Sequence, residues 1–118
     1  MIMNQELIAK EIKKEILVKN FNRYFDILEK SYQEPFKNKG WCKAQLLYNS
    51  IDESNKESLK EFIKMIMIES ATELLAYIDG IATFKEQEYP FELFCNDTKI
   101  SGSLQEYLLM DIEDNGFE

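Results

Sequence analysis

The chain has 118 residues, 45% hydrophobic and 31% charged, with 14 Lys and Arg, 22 Asp and Glu, no histidine and a formal net charge of -8. That length suits one domain, residues 1–118, around a single core, and the composition is that of a folded chain. Without the roughly 20 apolar residues that span a bilayer, or the 7 to 15 of a secretory signal, the chain is expected to be soluble and cytoplasmic. Its negative field disfavours nucleic acid and anionic membrane as partners.

From Asn4 to about Tyr32, Ile8, Ile12, Ile16, Leu17, Phe21, Phe25, Leu28 and Tyr32 recur at helical spacing, which predicts one long amphipathic helix. Lys10, Lys13, Lys14, Lys19 and Arg23 follow one another on it, but Glu6, Glu11 and Glu15 interleave, as on a solvated helix surface rather than a nucleic-acid face. Gln33 to Gly40, with Pro35, should break this helix, and Trp41 to Ile51 should form a short second one. Ser54 and Glu57 have the spacing of a capping box, so a third helix is expected from Ser54 to Asp79, closed by Gly80. Leu59, Phe62, Ile63, Ile66, Met67, Ala71, Leu74, Leu75, Tyr77 and Ile78 cover well over half of its circumference. A helix so broadly apolar is expected at the centre of the fold.

After Gly80, the runs Ile81 to Lys85 and Phe91 to Cys95 contain β-formers and predict a hairpin, with Asn96 and Asp97 as a turn and Thr98 to Ser101 as a third short strand. Ser103 and Glu106 form a second capping box, opening a C-terminal helix that turns Leu104, Tyr107, Leu108 and Ile112 inward. The expected fold class is therefore α+β, mainly helical, with a long N-terminal helix, an apolar central helix, a small antiparallel hairpin or three-stranded sheet, and a C-terminal helix.

Catalytic chemistry finds little support. With no histidine there is no base to pair with a Ser or Cys, and neither a GxSxG elbow nor an HExxH helix occurs. Cys42 and Cys95 lack CxxC spacing and read as isolated thiols in a reducing compartment. Glu69 and Glu73, one turn apart, could share a proton or an ion, but carboxylate metal sites on helices commonly add His ligands. They read better as border residues that pair with a base such as Arg23 or lie at a subunit contact. A non-enzyme without metal or cofactor is expected.

The charge is unevenly placed. Residues 1–85 hold 13 basic and 13 acidic side chains, whereas 86–118 hold Glu86, Glu88, Glu92, Asp97, Glu106, Asp111, Glu113, Asp114 and Glu118 against Lys99 alone. Asp111, Glu113 and Asp114 crowd the C-terminal end of the last helix, where the dipole disfavours negative charge. An acidic surface of this kind attracts a basic partner protein and speeds encounter with it. The expected partner-binding residues are Glu86, Glu88, Tyr89, Glu92, Phe94, Asp97, Tyr107, Asp111, Glu113 and Asp114, with Tyr89, Phe94 and Tyr107 as aromatic anchors.

A small, acidic, histidine-free chain with a charge-polarised end, in which ELLAYIDG is followed by a predicted hairpin and ISGSLQEY, resembles the antitoxin and immunity proteins with which bacteria neutralise cognate toxins, including those of contact-dependent growth inhibition systems. The resemblance implies tight binding to a basic toxin domain, often a nuclease, by covering its active site or an adjacent surface. Two alternatives stand beside it: a homodimeric structural or regulatory module with the apolar third helix as dimer core, and a phage-type DNA mimic that occupies nucleic-acid sites on host proteins.

Overall fold

Asn4 opens the first helix by accepting the Leu7 amide proton on Oδ1 at 2.8 Å, which satisfies a donor that the first turn leaves free. In the computed structural model, which describes residues 4–30 and 38–118, the elements are α1 (Gln5–Glu11), a π-helical segment (Ile12–Val18), α2 (Lys19–Lys30), α3 (Lys39–Ser50), α4 (Glu53–Ile78), β1 (Phe94–Cys95), β2 (Thr98–Lys99) and α5 (Leu104–Asn115). The fold is thus mainly helical α+β with one small antiparallel sheet of two strands. The expected Gln33-to-Gly40 break and the end of the first helix at Tyr32 fall largely outside the described residues. Packing divides the chain, expected as one domain, into two compact units: Met1–Val18 with Met67–Glu118, and Lys19–Ile66.

In the first unit, Ala9, Leu17, Leu75, Leu104 and Leu108 form the buried centre, with Ile8, Ile12, Met67, Ile68, Ala71, Ile78, Tyr107, Ile112 and Phe117 packed around it. The π-helical segment serves this core. Ala9, Lys13 and Leu17 are all buried although they are spaced by four, and an α-helix would carry each step of four about 40° further round its axis. A wider i to i+5 turn reduces that drift and keeps the three together. Ile16, expected inside, is 53% exposed as a result.

The end of α4 is a Schellman closure. The Ile81 amide donates to Ala76 O at 2.9 Å and the Gly80 amide to Tyr77 O at 3.1 Å, with Gly80 at φ +75°. A Cβ on Gly80 would also stand 3.1 Å from Phe91 O and 3.2 Å from Pro90 Cβ, because the returning chain crosses the helix end there. Gly80→Ala is expected to lower stability by about 1 to 2 kcal/mol from the left-handed backbone alone, and more from this contact; chemical denaturation measures it.

Both expected capping boxes are displaced. At the start of α4 the cap is Asp52, whose Oδ1 accepts the Asn55 amide at 2.8 Å, so the helix begins at Glu53, ahead of Ser54. At α5, Ser103 makes no side-chain cap bond. The buried carboxylate of Asp79 caps that helix instead, accepting from Gly102 N at 2.8 Å and Leu104 N at 3.1 Å on Oδ1, and from Gln105 N at 2.9 Å on Oδ2. Gln5 Oε1 takes the Ser103 amide at 2.6 Å.

The sheet is shorter and later than expected. Residues 81–93 form no strand; β1 pairs with β2 alone, Phe94 opposite Lys99 and Cys95 opposite Thr98. Asn96 turns the hairpin at φ +58°, a conformation asparagine tolerates better than most residues. The Ile100 amide extends the ladder to Leu93 O at 2.8 Å, and the buried Ser101 hydroxyl accepts the Leu93 amide at 2.8 Å.

In the second unit, Phe21, Phe25 and Leu28 of α2 and Gln45 and Tyr48 of α3 are buried. Asn38 Oδ1 accepts from Gly40 N at 2.9 Å and Trp41 N at 3.2 Å, so α3 starts at Lys39, two residues before its expected Trp41, and includes Gly40. Phe21 and Phe25 meet at 4.8 Å between ring centroids, and Phe25 and Tyr48 edge-on at 5.8 Å. The first half of α4, where Leu59 and Ile63 are half-buried, also presents lysines to these rings. Lys56 Nζ lies 4.9 Å from the Tyr48 ring centre, Lys60 Nζ 5.7 Å from Phe25 and Lys64 Nζ 5.3 Å from Phe21. Their stems pack on the apolar faces while the ammonium groups meet the ring quadrupoles. Phe62 at 53%, Met65 at 54% and Ile66 at 41% exposure are left outside, contrary to the expected inward face of this helix. Burial pushes the Tyr48 phenol above its ordinary range despite the nearby Lys60, and its hydroxyl donates to Glu29 Oε1 at 3.2 Å.

Candidate interaction surface

The ten side chains expected to bind a partner all belong to the first unit, but the structure does not treat them alike. Asp111 is drawn inward: its Oδ2 lies 2.9 Å from Lys13 Nζ, with the two side chains 9% and 10% exposed. Lys13 also donates to Gly116 O at 3.2 Å, and Asn115 Nδ2 donates to Asp111 Oδ1 at 2.6 Å. The hydrogen bond from Lys13 and that from Asn115, outweighing burial, hold the Asp111 carboxyl below the usual carboxylate range. Asp111 is therefore an internal charge, not a surface one, and Lys13 is not part of a solvated helix face.

Tyr107 is half-buried against the core of the first unit, and lines a cleft of about 400 Å³ with Asn4, Gln5, Glu6, Thr98, Lys99 and Ser103. It helps hold the core rather than projecting as an anchor. Glu113 and Asp114 are exposed in the last turn of α5, roughly 15 Å of helix beyond the first turn, where Thr98 and Lys99 share the cleft. Asp114 lines a second cleft with Glu6, Lys10, Tyr107, Met110, Asp111 and Asn115, which shares Glu6 and Tyr107 with the cleft that Thr98 and Lys99 line.

The remaining six, Glu86, Glu88, Tyr89, Glu92, Phe94 and Asp97, are exposed along 81–99. Glu92 Oε1 lies 3.3 Å from Lys99 Nζ, both about half exposed, a pair of little energetic weight. Beside the expected Tyr89 and Phe94, the same segment exposes Ile81, Phe84, Phe91 and Leu93. Ile81 is 63% exposed, Phe84 56%, Tyr89 78%, Phe91 47%, Leu93 41% and Phe94 53%. Phe84 stacks on Tyr77 at the end of α4 with centroids 4.3 Å apart, and Phe91 meets Phe84 edge-on at 6.3 Å. Their signal in the sequence was the density of aromatics among acids in FKEQEYPFELF.

Gln87 holds this segment in shape. Its Oε1 accepts the Phe84 amide at 3.1 Å, its Nε2 donates to Tyr89 O at 2.6 Å, and its own amide donates to Phe84 O at 3.0 Å. A turn closed three times within six residues, anchored on Tyr77 and on the Gly80 crossing, presents its rings in a fixed arrangement. Its acids lie between them.

Glu69 and Glu73 are both exposed on α4, and Arg23, their expected partner, lies over the Tyr24 ring at 4.9 Å. Cys42 is half-buried and Cys95 exposed, with no disulfide between them. Among the described residues no three His, Cys, Asp or Glu side chains converge as a metal site would require, and no helix is long and apolar enough to cross a membrane. Comparison with family models, with curated proteins and with solved structures gives no match.

Proposed function

We propose that this chain is a non-catalytic binding protein that neutralises a basic partner protein, of the kind a bacterial immunity protein meets in a nuclease-type toxin, through the exposed surface of residues 81–99. The observation that supports it is the pairing of large exposed rings with an excess of acids over bases on a pre-shaped segment. Protein interfaces concentrate their energy in such aromatic residues and use a charged rim to steer encounter. Glu86, Glu88, Glu92 and Asp97 form that rim here, with Lys85 and Lys99 the only bases among residues 81–99.

The test is a quadruple charge reversal, Glu86→Lys, Glu88→Lys, Glu92→Lys and Asp97→Lys, against a Glu113→Lys, Asp114→Lys control. The partner is the protein encoded beside this gene or captured by the wild-type chain from its native host. At low salt the quadruple variant is expected to associate at least about tenfold more slowly, with the salt dependence abolished, while the control changes little. Unchanged affinity and salt slope in the quadruple variant would sink the proposal.

A second reading has one observation in its favour: the exposed Phe62, Met65 and Ile66 on α4 would suit the contact of a homodimeric module. Sedimentation of the purified chain decides it, since a strict monomer at high concentration leaves that reading without support.

A further inference from the structure

We infer that the contact surface around Phe84 is built for arginine, so that the partner presents guanidinium groups to the ring stack rather than cationic charge in general. This rests on the reading of 81–99 as the docking segment and names the chemistry that fills it. Tyr77 covers one side of Phe84 at 4.3 Å and an interplanar angle of 17°, and Phe91 meets it at 69°, yet Phe84 keeps 56% of its surface in solvent. Neither ring collapses into the core, because the Gln87 bonds to Phe84 N and Tyr89 O hold the turn and the crossing at Gly80 holds Phe91 in place.

An exposed ring stack of this sort accepts a planar, weakly hydrated cation face to face. Glu86 and Glu88 lie two and four residues beyond Phe84 on the same turn, and their carboxylates can receive the guanidinium N–H donors. A lysine ammonium is more strongly hydrated and lacks the flat face, so it gains the charge attraction without the stacking. Acids beside the rings disfavour an acidic partner, and a second copy of this chain brings its own net charge of -8. The occupant that satisfies both the rings and the carboxylates is an arginine-bearing segment of another protein.

The experiment uses the full chain and two synthetic probes of equal length and charge, an arginine–glycine repeat and a lysine–glycine repeat, titrated at physiological salt and at about 1 M, where screening acts within about 3 Å. The arginine peptide is expected to bind about fivefold more tightly or better, and to keep most of that advantage at high salt. Phe84→Leu, which retains apolar area without the π face, should bring the two peptides to parity while leaving the salt dependence intact. Glu86→Gln with Glu88→Gln should weaken both and flatten the salt dependence without erasing the arginine preference. Equal binding of the two peptides by the unaltered protein, or a preference that survives Phe84→Leu, overturns the arginine assignment and leaves the acidic docking segment standing. Absence of salt-dependent binding by either peptide overturns the docking segment, and the arginine assignment with it.

Discussion

Lys13→Met is expected to cost about 3 to 5 kcal/mol of stability, the largest effect of any single substitution considered, because it leaves the Asp111 carboxylate buried without its cation. The geometry accounts for the size: a 2.9 Å contact between side chains only 10% and 9% exposed, with the Gly116 carbonyl completing the ammonium's shell and Asn115 completing the carboxylate's. Replacing both partners, Lys13→Met with Asp111→Leu, should recover much of the loss, since removing a buried pair outright spares the desolvation that a lone charge suffers. Urea titration of Lys13→Met, Asp111→Leu and the double variant gives the coupling, and a double loss equal to the sum of the two single losses would show that the two side chains act independently.

The same pair sets a pH dependence whose direction follows from the lowered Asp111 carboxyl. A group whose folded pKa lies below its unfolded value, here 3.8, contributes stability that is present above that value and disappears as pH falls through the folded one. Wild-type protein should therefore lose stability below about pH 4 more steeply than the Lys13→Met, Asp111→Leu variant, which has no such carboxylate to protonate. Denaturation midpoints measured from pH 6 down to pH 3 would reveal the difference in slope, and parallel curves would remove Asp111 from the account of acid unfolding.

Asp79→Ala is the second large effect, expected at about 2 to 4 kcal/mol, since three backbone donors of the α5 entry lose a charged acceptor in a buried setting. Asp79→Asn should fall between, because one amide oxygen can still serve Gly102 and Leu104 while its NH2 group meets the Gln105 donor unfavourably. Ser103→Ala should change stability by less than about 0.5 kcal/mol, as its hydroxyl caps nothing. The contrast is the informative part. A large loss at Ser103 with little at Asp79 would reverse the assignment of the cap.

Why the local reading chose Ser103 is plain in physical terms. A Ser three residues before a Glu fits the spacing of a capping box, but a carboxylate accepts amide protons more strongly than a hydroxyl, and Asp79 reaches the Gly102, Leu104 and Gln105 amides of the helix entry from more than 20 residues away in the chain. Ser54 lost its place to Asp52 for a related reason, here visible within two residues. In both places the helix was legible and the acceptor was not.

The candidate surface was half legible. Glu86, Glu88, Tyr89, Glu92, Phe94 and Asp97 could be read as exposed because acids and aromatics alternate without a continuous apolar stripe to bury. Phe84 and Phe91 lie in the two runs whose β-formers predict a hairpin, and with no strand over 81–93 both stay outside. Asp111 failed in the opposite sense. Its position in the last turn of α5 suggested a dipole cost kept for recognition, whereas a lysine on the π-helical segment removes that cost within the fold.

The amino-acid order alone determined the helical periodicity, the mainly helical α+β class, the closure at Gly80 and the concentration of negative charge after residue 85, because each depends on neighbours a few positions apart. Tertiary packing decided which charges remain outside. It seated Lys56, Lys60 and Lys64 on aromatic rings, turned Phe62, Met65 and Ile66 to solvent, buried Lys13 with Asp111, and used Asp79 as a cap for a distant helix. A side chain's electrostatic surroundings come from groups remote in sequence, and desolvation makes those groups, rather than its own helix face, the deciding influence on where it lies.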